Sequence, residues 1–151
     1  MFDPQLKEKK GRDLFEEDFG SKYTITYTQD IYNTTDFTCT ATTDPTRTYV
    51  GEIKAYTDAK HPRRYDKFPN YQIDYIKLKS IERKANESNS IPILVVYFED
   101  ILAVWDLSRF DWKANTGWVK VNKYGYDYGR EKENSYQAFI SVKDARYVRE
   151  R

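Results

Sequence analysis

Three side chains in this 151-residue chain have the types and spacing to handle a metal-bound water: Asp36, Glu52 and Lys54. Glu52 and Lys54 lie two apart in Thr48-Tyr49-Val50-Gly51-Glu52-Ile53-Lys54, a segment of β-favouring residues. Side chains two apart on a strand share a face, so this carboxylate and ammonium point the same way. Asp36 opens a second such segment, Asp36-Phe37-Thr38-Cys39-Thr40-Ala41-Thr42-Thr43. The two segments flank Asp44-Pro45-Thr46-Arg47, which reads as the turn of a β-hairpin. Pairing of these strands would let Asp36 approach Glu52. Two carboxylates offer the hard oxygen ligands that a divalent cation prefers, and a lysine beside them can orient a water.

The elements that must position these residues follow in order. Residues 3–19 read as a helix: Asp3-Pro4 suits its start, Leu6, Leu14, Phe15 and Phe19 form an apolar stripe, and Gly20 suits its end. Gly11 weakens that helix by about 1 kcal/mol relative to Ala. Glu16, Glu17 and Asp18 read as exposed acids, with Glu16 or Glu17 facing the hairpin as the sharper alternative. Residues 22–29 alternate Tyr23, Ile25 and Tyr27 against threonines, the pattern of a half-buried strand. On the second hairpin strand Tyr49, Gly51, Ile53 and Ala55 share one face, and Val50, Glu52, Lys54 and Tyr56 the other. Gly51 implies a close backbone approach or a bulge beside Glu52.

Residues 57–70 are charged and bracketed by Pro62 and Pro69, so they read as a loop. His61, the only histidine, reads as a solvated loop residue. Lys60, Arg63, Arg64 and Lys67 cluster there and could meet a phosphate backbone; a plain solvated loop is the alternative. Residues 71–87 have helical spacing at Tyr71, Tyr75, Leu78, Ile81 and Ala85. Gln72, Lys77 or Lys79 could point from this helix toward the carboxylates; otherwise they are surface residues. Ile91 to Phe98 is the most apolar run, and it reads as a central strand covered on both faces. Residues 101–107 return as another strand, with Trp105 in the core. Residues 108–134 form an irregular excursion mixing Trp112, Trp118, Tyr124, Tyr126 and Tyr128 with Lys113, Lys120, Lys123 and Arg130. Such a mixture can stack bases and contact phosphates, or simply pack. Residues 135–142 read as a last strand and 143–151 as a short closing helix. The expected fold is α/β or α+β: one domain over 1–151, with a mixed central sheet flanked by helices.

Composition narrows the function classes. Twenty-five basic residues face 24 acidic ones, so no global basic field draws the chain to nucleic acid. Cys39 is alone, which rules out a disulfide framework and a cysteine zinc cluster and suits a small buried residue. The N-terminus lacks a signal-peptide pattern, and no apolar run approaches the roughly 20 residues of a membrane span. The expectation is a cytoplasmic protein, in which the sequons at Asn33 and Asn86 carry little meaning.

The acid-x-lysine spacing alone is uninformative, because it occurs five times: at Glu8, Glu52, Asp58, Glu82 and Asp111. Only the Glu52 match lies on an expected strand whose hairpin partner opens with an acid. In that context the chain resembles the PD-(D/E)XK nuclease superfamily, the restriction endonuclease-like and Holliday junction resolvase-like enzymes. The resemblance covers about residues 3–107 and rests on Asp36, Glu52-Ile53-Lys54 and the order of helix, strand, acid-opened strand, acid-x-lysine strand, helix and strand. Thr35 stands where the superfamily's proline would precede Asp36. Asp44 does sit beside a proline and is a rival first acid, less favoured because it lies at the turn.

The resemblance implies a core in the order αβββαββ over about residues 3–107, with 108–151 appended. It implies a metal-dependent nuclease that hydrolyses phosphodiester bonds of nucleic acid, DNA foremost. Asp36 and Glu52 would bind Mg²⁺ or Mn²⁺, the Ile53 carbonyl would add a ligand, and Glu16 or Glu17 would supply another. Lys54 would orient the attacking water, and Lys60, Arg63, Arg64, Lys67 and Lys77 would hold the nucleic acid. A homodimer or a partner protein is compatible with this reading. Two alternatives stand beside it. One is a nuclease-like fold without activity that binds nucleic acid or protein. The other is an unrelated α+β domain that binds through its aromatic segment, in which Asp36 and Glu52 would lie far apart.

Overall fold

The computed structural model describes residues 4–28, 35–56, 70–122 and 132–151. It is an α+β fold with two helices and nine strands among those residues: α1 (Pro4–Phe19), β1 (Tyr23–Tyr27), β2 (Phe37–Ala41), β3 (Asp44–Ala55), β4 (Asn70–Asp74), α2 (Tyr75–Glu87), β5 (Ile91–Tyr97), β6 (Ile101–Asp106), β7 (Thr116–Asn122), β8 (Lys132–Ser141) and β9 (Tyr147–Glu150). Six strands form a mixed sheet in the order β1-β2-β3-β5-β6-β9, and β4-β8-β7 form a second, antiparallel sheet. Within the large sheet β3 and β5 run parallel and every other pairing is antiparallel. Parallel neighbours need a crossover connection, which β4 and α2 supply here.

Strand alternation divides the large sheet into two apolar faces. Ile53 and Ala55 of β3, Ile93, Val95 and Tyr97 of β5 and Leu102 of β6 pack against Phe15 of α1. Leu94, Val96, Ala103 and Trp105 project to the opposite face, where α2 contributes Leu78, Ile81 and the second sheet contributes Tyr71, Ala138 and Ile140. β5 is therefore covered on both sides, as its unbroken apolar run requires. Trp105 is fully buried, and its indole N–H donates to the Ser141 carbonyl at 2.9 Å. Cys39 is buried on the α1 side, and burial pushes its thiol up to about 12.

Three expectations about elements are corrected. The second helix begins at Tyr75, because residues 70–74 form β4. Tyr71 and Ile73 are its buried positions, and β4 pairs with β8 far along the chain. Tyr71 and Tyr75 are four apart, so helical spacing and strand alternation overlapped there. The closing helix over 143–151 is a 3₁₀ turn followed by strand β9, which pairs with the edge of β6. The hairpin turn falls at Thr42-Thr43, two residues before Asp44-Pro45, and Ala41 pairs with Asp44 across an irregular register. Asp44 instead folds onto Thr46, accepting from its backbone N–H at 3.2 Å and its hydroxyl at 2.6 Å. Within the excursion, the described residues include strand β7, and the strand expected over 135–142 runs from Lys132 to Ser141; Lys123, Tyr124, Tyr126, Tyr128 and Arg130 lie outside the described residues. Among the described residues no helix is long and apolar enough to cross a membrane.

Candidate metal centre on the central hairpin

The β2–β3 register brings the first pair of acids together. Phe37 pairs with Gly51, so one step outward puts Asp36 opposite Glu52. Three backbone and side-chain hydrogen bonds fix Asp36 there. Its N–H donates to the Gly51 carbonyl at 2.8 Å, its carbonyl accepts from the Thr28 N–H at 2.8 Å, and its Oδ2 accepts from the Ile53 N–H at 2.9 Å. Asp44 is excluded as the first acid. It lies eight residues from Glu52 along β3, roughly 26 Å at the strand rise.

Gly51 sets the depth of the neighbouring Glu52. A Cβ at position 51 would run into the Ile93 carbonyl of β5, so only glycine allows this parallel approach. The close approach expected beside Glu52 is thus present. Glu52 itself is 3% exposed, on the face toward α2. Its charge is met by two lysines. Lys54 Nζ lies 2.8 Å from Oε1, and Lys77 Nζ, in the first turn of α2, lies 3.2 Å from Oε2. Oε2 nevertheless has no hydrogen bond of good geometry.

The electrostatics of the four groups are asymmetric. Burial, then the charge of Glu52, push the Asp36 carboxyl above its ordinary pKa, and the Ile53 N–H only partly offsets this. Burial works against the Lys54 charge, but Glu52 and Asp36 outweigh it and hold the ammonium above its ordinary value. Lys54 is therefore favoured in its charged form. It can donate hydrogen bonds and stabilise negative charge.

Asp36, Glu52, Lys54, Lys77 and the Ile53 backbone thus come together. The Ile53 side chain lies in the α1-side core, so only its main chain faces this centre. Glu16 is engaged elsewhere: its Oε2 accepts from the Tyr27 hydroxyl at 2.9 Å. Glu17 is exposed. Among the described residues no three metal-ligating side chains converge, so neither completes a trio with Asp36 and Glu52. Sequence reading missed the acid of α1 whose charge does bear on Asp36, which is Glu8. Arg12 grips Glu8 at 3.0 Å and donates to the carbonyl of Thr28, just past β1, at 2.9 Å; the Thr28 N–H in turn donates to the Asp36 carbonyl. The Glu8–Arg12 spacing of four marks a helix-surface ion pair, but no local signal places that acid near Asp36. Lys79 pairs with Glu82 at 3.4 Å, and Gln72 is exposed on β4. Lys60, Arg63, Arg64 and Lys67, read as a phosphate-binding cluster, lie outside the described residues, as does His61.

The donor set suits a hard cation with an open coordination shell. Two carboxylates are too few for a closed all-protein cage, but Mg²⁺ typically takes one or two, keeping water and substrate oxygens for the rest. The raised Asp36 carboxyl and Glu52 Oε2, which has the Lys77 ammonium nearby but no hydrogen bond of good geometry, are two acceptors that a cation would satisfy. A cavity of about 490 Å³ lies on the other face of the sheet, lined in part by Phe19, Tyr23, Arg47, Tyr49, Ile93 and Arg149. Concavity alone would not have led to the carboxylates. Compared with known proteins, the chain matches no family model, no curated protein and no solved structure.

Proposed function

We propose that the protein is a metal-dependent nuclease that hydrolyses phosphodiester bonds, with DNA as the foremost substrate and Mg²⁺ or Mn²⁺ as cofactor. One observation carries this reading. Glu52 is buried beside Lys54 on one strand, while Asp36 is pinned opposite by the N–H of the intervening Ile53. An incidental surface Glu–Lys pair would be exposed and contribute under about 1 kcal/mol. The element order also supports the resemblance to the PD-(D/E)XK superfamily, with β4 as one strand added ahead of α2.

In this reading Asp36 and Glu52 hold the cation, which supplies a more acidic water and neutralises phosphate charge. Lys54 would stay protonated, orient the attacking water, whose proton would pass to bulk water, and stabilise charge on the phosphoryl oxygens. Lys77 balances the Glu52 charge and, at the start of α2, would be placed to meet a phosphate.

Cleavage of supercoiled, single-stranded and branched DNA and of RNA, in Mg²⁺, Mn²⁺ or EDTA, tests the proposal. We expect metal-dependent cleavage that falls at least about 100-fold in Glu52→Ala and Lys54→Ala, the scale of losing a key electrostatic group. Cleavage that survives EDTA or either substitution would overturn it. A second reading, an inactive nuclease-like fold used for binding, is favoured by one feature: two lysines already neutralise Glu52. Absence of cleavage on every substrate, with no Mn²⁺-dependent rise in melting temperature, selects that reading.

A further inference from the structure

We infer that strand β7 carries a base-stacking platform, Trp118 with Lys120, that takes an unpaired base of a single-stranded nucleic acid beside the N-terminus of α2. Trp105 and Trp112 are 0% and 3% exposed, whereas Trp118 is 70% exposed. Its indole is nonetheless supported from within the protein. Tyr136 meets it across the β7–β8 ladder with ring centroids 5.2 Å apart at 62°. The Tyr136 hydroxyl is held by Thr116 Oγ1 at 2.8 Å, and its ring abuts Tyr75 at 5.0 Å and 73°. Tyr75 in turn leans on the buried Trp112 at 5.3 Å. A row of rings therefore runs from the core outward and ends on an open indole, which is the preorganised, apolar surface a base requires.

Position and charge narrow the occupant. Thr116, Trp118 and Lys120 alternate onto one face of β7, and the residue opposite Thr116, Ala138, is in the core shared with α2. The platform thus extends the sheet face that packs against α2. Lys120 is exposed about 7 Å further along the strand, within reach of the phosphate of a stacked nucleotide. Tyr75 opens α2 two residues before Lys77, whose Nζ is 3.2 Å from Glu52. One helix N-terminus therefore links the ring row to the carboxylates. A duplex hides its base faces, so an aromatic platform selects an unpaired base, and stacking tolerates any base identity. The inference rests on the nuclease reading and gives it a substrate class: single strands, frayed ends or branch points.

The test is binding in EDTA, where nothing is cleaved. Titration with an oligothymidylate should quench the tryptophan emission of the full chain, since Trp118 is the accessible indole. A blunt duplex of equal length should quench it far less. Trp118→Ala should weaken oligothymidylate binding by about tenfold or more, with Trp118→Phe intermediate, the scale of losing one base–aromatic stack. Trp118 is exposed, so both variants should melt like wild type. Equal affinity of Trp118→Ala and wild type for the single strand, or preference for the duplex, would overturn the platform. So would loss of self-association in Trp118→Ala with single-strand binding intact, since the indole would then be a contact between copies. Glu52→Ala separates the two proposals. If it binds and quenches normally, the platform stands even where no cleavage occurs. If Trp118→Ala cleaves single strands at the wild-type rate, the platform fails and the nuclease reading survives.

Discussion

Burial and the Glu52 charge together make the Asp36 carboxylate costly to ionise in the folded chain. The sign of the consequence follows from proton linkage. A carboxyl whose folded pKa is raised binds its proton more tightly when folded. Its stabilising contribution is therefore complete below the ordinary carboxylate range and is lost as pH rises through the folded value. At pH 7 the chain carries this cost, and Asp36→Asn removes it while keeping an acceptor for the Ile53 N–H. We expect Asp36→Asn to melt higher than wild type at pH 7 in EDTA. The advantage should vanish below about pH 4. Mn²⁺ should raise the melting temperature of wild type but not of the variant, because only a ligand of the folded state stabilises by mass action. An equal Mn²⁺ response in both proteins would remove Asp36 from the metal site. The placement of Asp36 opposite Glu52 was legible at this scale, since its position at the head of a hairpin strand favoured it over Asp44. The α1 acid was not, because Glu16 and Glu8 each suit an exposed helix and only docking decides which one nears Asp36.

At the scale of elements, β3 is the strand on which the site depends, because it pairs β2 on one side and β5 on the other. Its alternation was readable: Ile53 and Ala55 enter one core, while Glu52 and Lys54 face α2. Gly51 sits where that strand has no room for a side chain. Gly51→Ala should cost about 2–3 kcal/mol, since the obstruction is the β5 main chain and cannot rotate away. Urea denaturation would measure this; a change under about 0.5 kcal/mol would mean that β3 and β5 shift apart freely. α2 shows what local pattern cannot resolve. Leu78, Ile81 and Ala85 mark its buried stripe, and Asn89, in the left-handed region at φ 53°, follows its C-terminus. Its start was misplaced because Tyr71 and Ile73 satisfy a strand only when β8 is beside them.

At the scale of the whole molecule, one edge of the large sheet is formed by β9. β9 is exposed along its length, so it buries little apolar area, yet it occupies the pairing edge of β6. Arg149 adds an ion pair to Asp18 of α1 at 2.8 Å, and the same Asp18 accepts from the Tyr97 hydroxyl at 2.9 Å. Deleting residues 146–151 should therefore lower stability by only about 1 kcal/mol while promoting concentration-dependent association through the bared β6 edge. Light scattering against concentration, beside urea denaturation, checks both parts. A truncated chain that remains monomeric at high concentration would show that β9 does not protect the edge.

The local signals in the sequence determined most of the elements on their own. α1, β1, the acid-bearing hairpin, β5 and β6 each have a periodicity or turn chemistry that acts within a few residues. They also determined that Glu52 and Lys54 share a face, because strand geometry alone requires it. Tertiary structure decided the rest. The β2–β3 register put Asp36 opposite Glu52, the docking of α2 brought Lys77 onto the same carboxylate, and pairing with distant strands turned residues 70–74 and 147–150 into β-structure. These outcomes depend on partners beyond the local stretch, in most cases tens of residues away, whose free energy no local pattern contains.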